Sequence, residues 1–177
     1  FTEVKAEDGR TTALPSYIVL KSEPVGAYLG YIHDDPDETA NGYLTFTESQ
    51  ADSPFAKFQV ETAGADGAVH IRSCENNRYW VRTPNISITG NPEEQYWITA
   101  AATETENDQS KEGCTLFHPQ QVDAAANTVR LVHVQSGCYL CMWGLNVPPF
   151  NQPVLANYQI HDHQGCDIFT VIDWEAL

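Results

Sequence analysis

The chain is short of cations. Nine Lys and Arg stand against 24 Asp and Glu in 177 residues, a formal net charge of −15. Nucleic acid and anionic membrane surfaces are held by clustered Lys and Arg, so this balance argues against both as direct partners. Long apolar runs are also missing; none approaches the roughly 20 residues of a membrane-spanning helix. No signal-peptide pattern opens the chain, although a start at Phe1 makes that absence a weak statement about compartment. Cysteine is sparse and odd in number (Cys74, Cys114, Cys138, Cys141, Cys166), which is not a dense disulfide scaffold. Cys138 and Cys141 form a C-x-x-C, but no second pair and no His at ligand spacing follows it. Buried thiols are therefore expected rather than a metal or redox centre. A nucleophile motif, a singled-out carboxylate pair and a cofactor fingerprint are likewise missing, so no enzyme, cofactor or metal is expected.

What the chain does have is a repeat. Ile18-x-Leu20, Val69-x-Ile71 and Val129-x-Leu131 align, and eight residues after the last member of each stands a tyrosine: Tyr28, Tyr79 and Tyr139. Leu44 and Leu155 follow the first and third tyrosines by sixteen residues, and Phe58 and Phe169 come fourteen later. The middle unit keeps the order with Trp97 or Ile98 and then Phe117. Each unit alternates with period two, carries Gly, Pro and Asn turns, and lacks an amphipathic helix. The window from Ala100 to Thr105 is read as loop. Twelve short strands in three equivalent units predict an all-β fold, a β-trefoil with pseudo-threefold symmetry and a closed barrel. The expected repeats run over residues 14–63, 68–122 and 128–176 of a single domain, 14–177. Residues 1–13 fit no repeat and read as a leader or linker. The final strand, ending Ile172-Asp173-Trp174-Glu175-Ala176-Leu177, is expected to pair near Tyr17–Lys21 and close the barrel.

The stretch around which these units turn is AVHIRSCENNRYWVR, Ala68 to Arg82. It reads as a hairpin with Val69 and Ile71 on one face, His70 and Arg72 on the other, and a turn through Glu75-Asn76-Asn77. Asn tolerates the left-handed conformation that such a turn needs.

That stretch and several others resemble the amaranthin-like agglutinin family of plant lectins. Carrying the resemblance are Leu14-Pro15, VHIR followed by NNRYWVR, DQSK at Asp108–Lys111, CTLF at Cys114–Phe117, the run Val129–Gln135, and the terminal IDWE. It covers essentially all of Leu14 to Leu177 in order. It implies a non-catalytic carbohydrate-binding trefoil for galactose- or N-acetylgalactosamine-containing glycans such as the T-antigen disaccharide. It also implies a role in stress or defence, a nucleocytoplasmic location with secretion left open, and a site completed between partner subunits. Carried over to matching positions, it assigns carbohydrate binding to Asn76, Asn77, Tyr79 and Trp80. The chain departs from the family pattern in having one trefoil, Arg78 where Lys is usual, Glu112 where a Trp is expected, and Ser73-Cys74 where a Cys pair is common. One trefoil makes self-association, as a homodimer or other homo-oligomer, the way to rebuild a two-domain site.

Read from the residues alone, these four positions divide. Tyr79 shares its repeat position with Tyr28 and Tyr139, which favours the core. Trp80 replaces Leu29 and Leu140 and is expected on the opposite face, where a surface role open to a ligand and a packing role stand equal. Asn76 and Asn77 serve equally as a turn pair. Elsewhere, Trp143 with Met142 and Asn146 reads as loop packing or a second aromatic platform, and His161-x-His163 as a surface loop rather than a metal pair. Asn85-Ile86-Ser87 is a glycosylation sequon usable only after secretion. A trefoil module for protein interaction or targeting, a protease inhibitor included, is the competing expectation.

Overall fold

A computed structural model describes residues 10–83, 90–162 and 164–177; the sequon and His163 lie outside them. The first repeat supplies β1 (Tyr17–Ser22), β2 (Ala27–Tyr31), β3 (Leu44–Glu48) and β4 (Phe58–Thr62). The second supplies β5 (Val69–Ser73), β6 (Tyr79–Arg82), β7 (Ile98–Ala102) and β8 (Phe117–Asp123). In the third, β9 (Thr128–His133) and β10 (Cys138–Met142) are followed by a two-residue pair, β11 (Asn146–Val147) and β12 (Phe150–Asn151), and then β13 (Val154–Tyr158) and β14 (Phe169–Asp173).

Antiparallel pairing runs β1–β4–β5–β8–β9–β14 and returns to β1, a closed six-stranded barrel. Closure satisfies the strand edges without a neighbouring chain. As expected, β14 closes it, with Ile18 opposite Asp173 and Lys21 opposite Thr170. Three hairpins, β2–β3, β6–β7 and β10–β13, cap one end. The repeat positions Ile18, Val69 and Val129, then Leu20, Ile71 and Leu131, then Phe58, Phe117 and Phe169 are all buried in one cluster. Each such side chain contributes about 1.5–3 kcal/mol when removed from water, so the threefold layer is the main source of stability.

One parity expectation is reversed. Tyr79 pairs directly with Arg72, as Tyr28 does with Lys21 and Tyr139 with Val132. Residues directly opposite in an antiparallel pair share a face, so these tyrosines lie with the outer residues, half-buried. The next residue, Leu29, Trp80 or Leu140, enters the core instead. Counting eight residues from Ile71 carries parity across a turn, where it has no meaning; pairing alone sets it. A register shift then follows in each cap hairpin, at Tyr28/Leu29, Tyr79/Trp80 and Tyr139/Cys141. A bulge repeated three times is part of the design of the unit.

Smaller corrections follow from the same pairing. Leu44 lies opposite Tyr31, Ile98 opposite Arg82 and Val154 opposite Met142, so Val154 rather than Leu155 is the third-repeat equivalent of Leu44. Ala100–Ala102 belong to β7, not to a loop. Trp174–Ala176 form a 3₁₀ turn capped by the Asp173 side chain, with Lys57 Nζ 5.1 Å from the Trp174 ring centre. Residues 10–12 pair with β8, where Thr12 N–H donates to Pro119 O at 3.1 Å and Gln121 N–H to Arg10 O at 2.8 Å. All five cysteines are free thiols, and burial pushes the Cys141 thiol far above its ordinary range.

Candidate functional site

The β5–β6 turn is built on backbone that recurs threefold. Gly26, Asn77 and Gly137 occupy the same turn position with φ of 67°, 58° and 71°. Their N–H groups donate to Ser22 O, Ser73 O and His133 O at 2.8, 2.9 and 2.8 Å. Asn is the non-glycine residue that tolerates this left-handed geometry at least cost. Asn77 is thus the turn residue, and its Oδ1 also accepts from Arg72 Nη1 at 3.2 Å.

Asn76 ties the turn to its neighbour. Its Oδ1 accepts Arg78 N–H at 2.9 Å and its Nδ2 donates to Ala100 O at 3.1 Å. These two bonds use half of the amide's capacity and leave one donor and one acceptor position. The turn held this way forms one wall of a cleft of about 490 Å³, presenting Glu75, Asn76 and Arg78. The opposite wall comes from the first repeat, with Tyr31, His33 and Asn41. His33 is fixed by stacking on Phe55, ring centres 3.6 Å apart and nearly parallel. The volume suits a sugar ring with its hydroxyls, and the lining mixes amide, imidazole, carboxylate and guanidinium. Glu75, Arg78, His33 and Asn41 had no signal in the repeat; only the pairing of β2–β3 beside the β5–β6 turn brings them together.

Tyr79 and Trp80 are not in this cleft. The Tyr79 hydroxyl donates to Glu61 Oε2 at 2.8 Å, beside Arg72, whose Nε lies 3.8 Å from Glu61 Oε1 and whose Nη2 donates to Gln59. Burial first, and the Glu61 carboxylate second, hold the Tyr79 phenol above its ordinary range. Trp80 is 0% exposed, edge-on to Phe58 and Phe117 with ring centres 5.1 and 5.8 Å away. The expectation that it faces outward is corrected: its ring has no face to offer a ligand. The four residues taken from the resemblance therefore go to three places: cleft wall (Asn76), turn and outer strand face (Asn77, Tyr79), and core (Trp80).

Two other histidines, His70 and His133, read as structural. His70 is buried, with Nδ1 2.8 Å from Thr115 Oγ1 and Nε2 2.7 Å from Asn107 Oδ1. His133 Nδ1 lies 2.8 Å from Ser136 Oγ and Nε2 3.3 Å from Cys114 O. The carbonyl can only accept, which places the proton of neutral His133 on Nε2. Among the described residues no group of three or more His, Cys, Asp or Glu side chains is placed to hold a metal ion. Glu112, at the position where a Trp was expected, is exposed on a loop, and Ser73 is fully buried behind the turn.

A family model for the agglutinin domain matches residues 12–173. The chain belongs to the agglutinin domain family. No curated protein matches it by sequence. Among solved structures it is similar to the designed threefold-symmetric protein ThreeFoil (11% identity, 89% of this chain and 99% of that one, TM-score 0.63). It is also similar to the BEL β-trefoil (15%, 93% and 97%, TM-score 0.59). A third similarity is to a GlcNAcα1-4Gal-releasing endo-β-galactosidase from Clostridium perfringens (12%, 88% of this chain but 32% of that one, TM-score 0.55). These likenesses establish the β-trefoil; at such identities they carry the fold alone. The agglutinin-domain trefoil is thus a lectin-like fold, as the repeat and the resemblance led one to expect.

Proposed function

We propose that this agglutinin domain is a non-catalytic lectin that binds galactose- or N-acetylgalactosamine-containing glycans, the T-antigen disaccharide among them, in the cleft between the first and second repeats. The observation that carries the reading is the Glu75-Asn76-Asn77-Arg78 turn, pinned by Asn76 to Ala100 and facing His33 and Asn41 across the cleft. Sugar recognition needs a few fixed polar groups, and a turn fixed from both sides supplies them at small entropic cost. Glu75 accepts from vicinal hydroxyls, and Arg78 and the remaining Asn76 N–H donate to ring or acetamido oxygens.

The cleft is open, so a second copy of the chain across it would supply the remaining contacts; this is the homodimer reading. Single-site affinity is then weak, in the range of about 0.1–1 mM, and avidity comes from multivalency. Plant origin, a defence role and a nucleocytoplasmic setting follow the family resemblance and belong to the same proposal. Calorimetric titration with the T-antigen disaccharide tests it, alongside a glycan array. Binding that Arg78→Ala and Glu75→Ala each weaken about tenfold or more, with unchanged melting temperature, supports the site. Absence of binding by any glycan at about 10 mM sinks it.

A further inference from the structure

One ring stack on the cleft wall belongs to the first repeat alone. Ile32, Thr83 and Trp143 are equivalent, each donating its N–H across a cap hairpin, to Tyr43 O, Trp97 O and Pro153 O at 2.9, 2.9 and 2.8 Å. The residues that follow them are His33, Pro84 and Gly144. Three residues before the barrel phenylalanines Phe58, Phe117 and Phe169 stand Phe55, Cys114 and Cys166. Two repeats thus build the fold with an aromatic ring at neither position, and the first repeat places one at both. The trefoil itself does not call for the pair.

Both rings are held from behind. Pro54–Ala56 form a single 3₁₀ turn, with Pro at its start and Ser53 Oγ accepting Phe55 N–H at 3.3 Å. The same Ser53 hydroxyl donates to Glu48 at the end of β3. On the other side, Ile32 O accepts Gly42 N–H at 2.8 Å, which fixes the backbone leading into His33. The imidazole lies flat on the Phe55 ring, 4° from parallel with centres 3.6 Å apart. Tyr31 meets the two rings edge-on, 6.2 Å from His33 and 5.7 Å from Phe55. One face of His33 is therefore covered, while the residue as a whole stays exposed and lines the cleft opposite Glu75, Asn76 and Arg78. A flat ring that is exposed yet already immobilised loses little entropy when something packs on it.

From this arrangement we infer that the His33 imidazole, backed by Phe55, is the surface on which the sugar ring lies, and that His33 sets the preference for a galactose-type ring. An axial 4-hydroxyl gathers C3–H, C4–H and C5–H of such a ring on one face, and an aromatic ring takes that apolar face by packing. In a glucose-type ring the equatorial 4-hydroxyl moves C4–H to the opposite face and breaks the patch. Phe55 acts through His33 and is a positioning residue. The inference rests on the lectin reading above and adds to it the group that tells one hexose from another. Trp80, shut between Phe58 and Phe117, leaves that task to the first repeat.

Saturation-transfer NMR of the full chain with methyl β-galactoside and methyl β-glucoside tests this, together with the affinities of the two sugars by titration. The wild type should bind the galactoside about tenfold more tightly, with the strongest transfer to its H3, H4 and H5. His33→Ala and Phe55→Leu should each weaken the galactoside about tenfold and bring the two sugars level, whereas Phe55→Tyr should behave as wild type. A merely structural loss would weaken both sugars alike and leave their ratio unmoved. Should Phe55→Leu disturb folding, His33→Ala gives the same reading at an exposed position. Equal binding of the two sugars by the wild type overturns the specificity role. An unchanged affinity and transfer pattern in His33→Ala, with Arg78→Ala weakened, overturns the stack and leaves the cleft standing. Loss in His33→Ala with Arg78→Ala and Glu75→Ala unaffected supports the stack and overturns the turn as the opposite wall. If neither sugar, nor the T-antigen disaccharide, binds at up to about 50 mM, both readings fall.

Discussion

Arg130 Nε lies 3.1 Å from Asp167 Oδ2, and both side chains are almost wholly buried. Asp167 Oδ2 also accepts Asp162 N–H at 2.7 Å. The pair therefore fastens the segment before β14 to β9. Taking one partner away leaves a charge in a dry interior, which costs about 3–5 kcal/mol. Asp167→Ala should lower unfolding free energy by that amount in urea, with an unchanged slope. The double variant Arg130→Met/Asp167→Leu, apolar at both positions, should recover most of the loss.

Trp80 and Tyr79 adjoin in sequence and should separate cleanly in experiment. Trp80→Ala empties a core position between Phe58 and Phe117, and about 3–5 kcal/mol of stability goes with it. Tyr79→Phe removes only the hydroxyl that donates to Glu61, a loss of about 1 kcal/mol. Thermal unfolding of the two variants measures both. Equal and small effects would contradict the inward Trp80 and the outward Tyr79 described above.

The contrast between these neighbours also marks where reading the sequence reached its limit. The strand signals around Ile18, Val69 and Val129 and the phenylalanines of β4, β8 and β14 are periodic within single strands, and periodicity there maps directly onto the barrel interior. Tyr79 and Trp80 lie across a turn from that pattern, so their faces depend on Arg72 opposing Tyr79, which is a pairing and not a spacing. The cleft was less legible still. Asn76 was visible as a turn residue, but His33 and Asn41 come from a different repeat and share no motif with it.

Asn77 allows the turn role to be told apart from a ligand role. Glycine occupies the equivalent left-handed position in the other two repeats, so Asn77→Gly should change stability by less than about 0.5 kcal/mol. Asn77→Ala forces a Cβ without local hydrogen bonding into φ near 58° and should cost about 1 kcal/mol. Glycan affinity should be the same in wild type and Asn77→Gly. A tenfold loss of affinity in Asn77→Gly at unchanged melting temperature would show that the side chain itself meets the sugar.

His133 makes the stability pH-dependent with a definite sign. Burial, above all, lowers its pKa from the ordinary 6.5 to about 4, with the Cys114 carbonyl opposing that shift and Arg82 adding to it. The unfolded chain therefore binds a proton through a pH window in which the folded chain refuses one. Stability contributed by the neutral ring is intact above pH 6.5, declines as the pH falls towards 4, and declines no further from this group below that. A depression of this size corresponds to about 3 kcal/mol across the window. His133→Gln keeps a polar side chain beside Ser136 but cannot titrate, so its unfolding free energy should fall less than that of the wild type between pH 7 and 4. Carboxylates that titrate near pH 4 are common to both proteins and cancel in the difference. Parallel pH profiles for the two would show that His133 is protonated in the folded state, contrary to its burial against the Cys114 carbonyl.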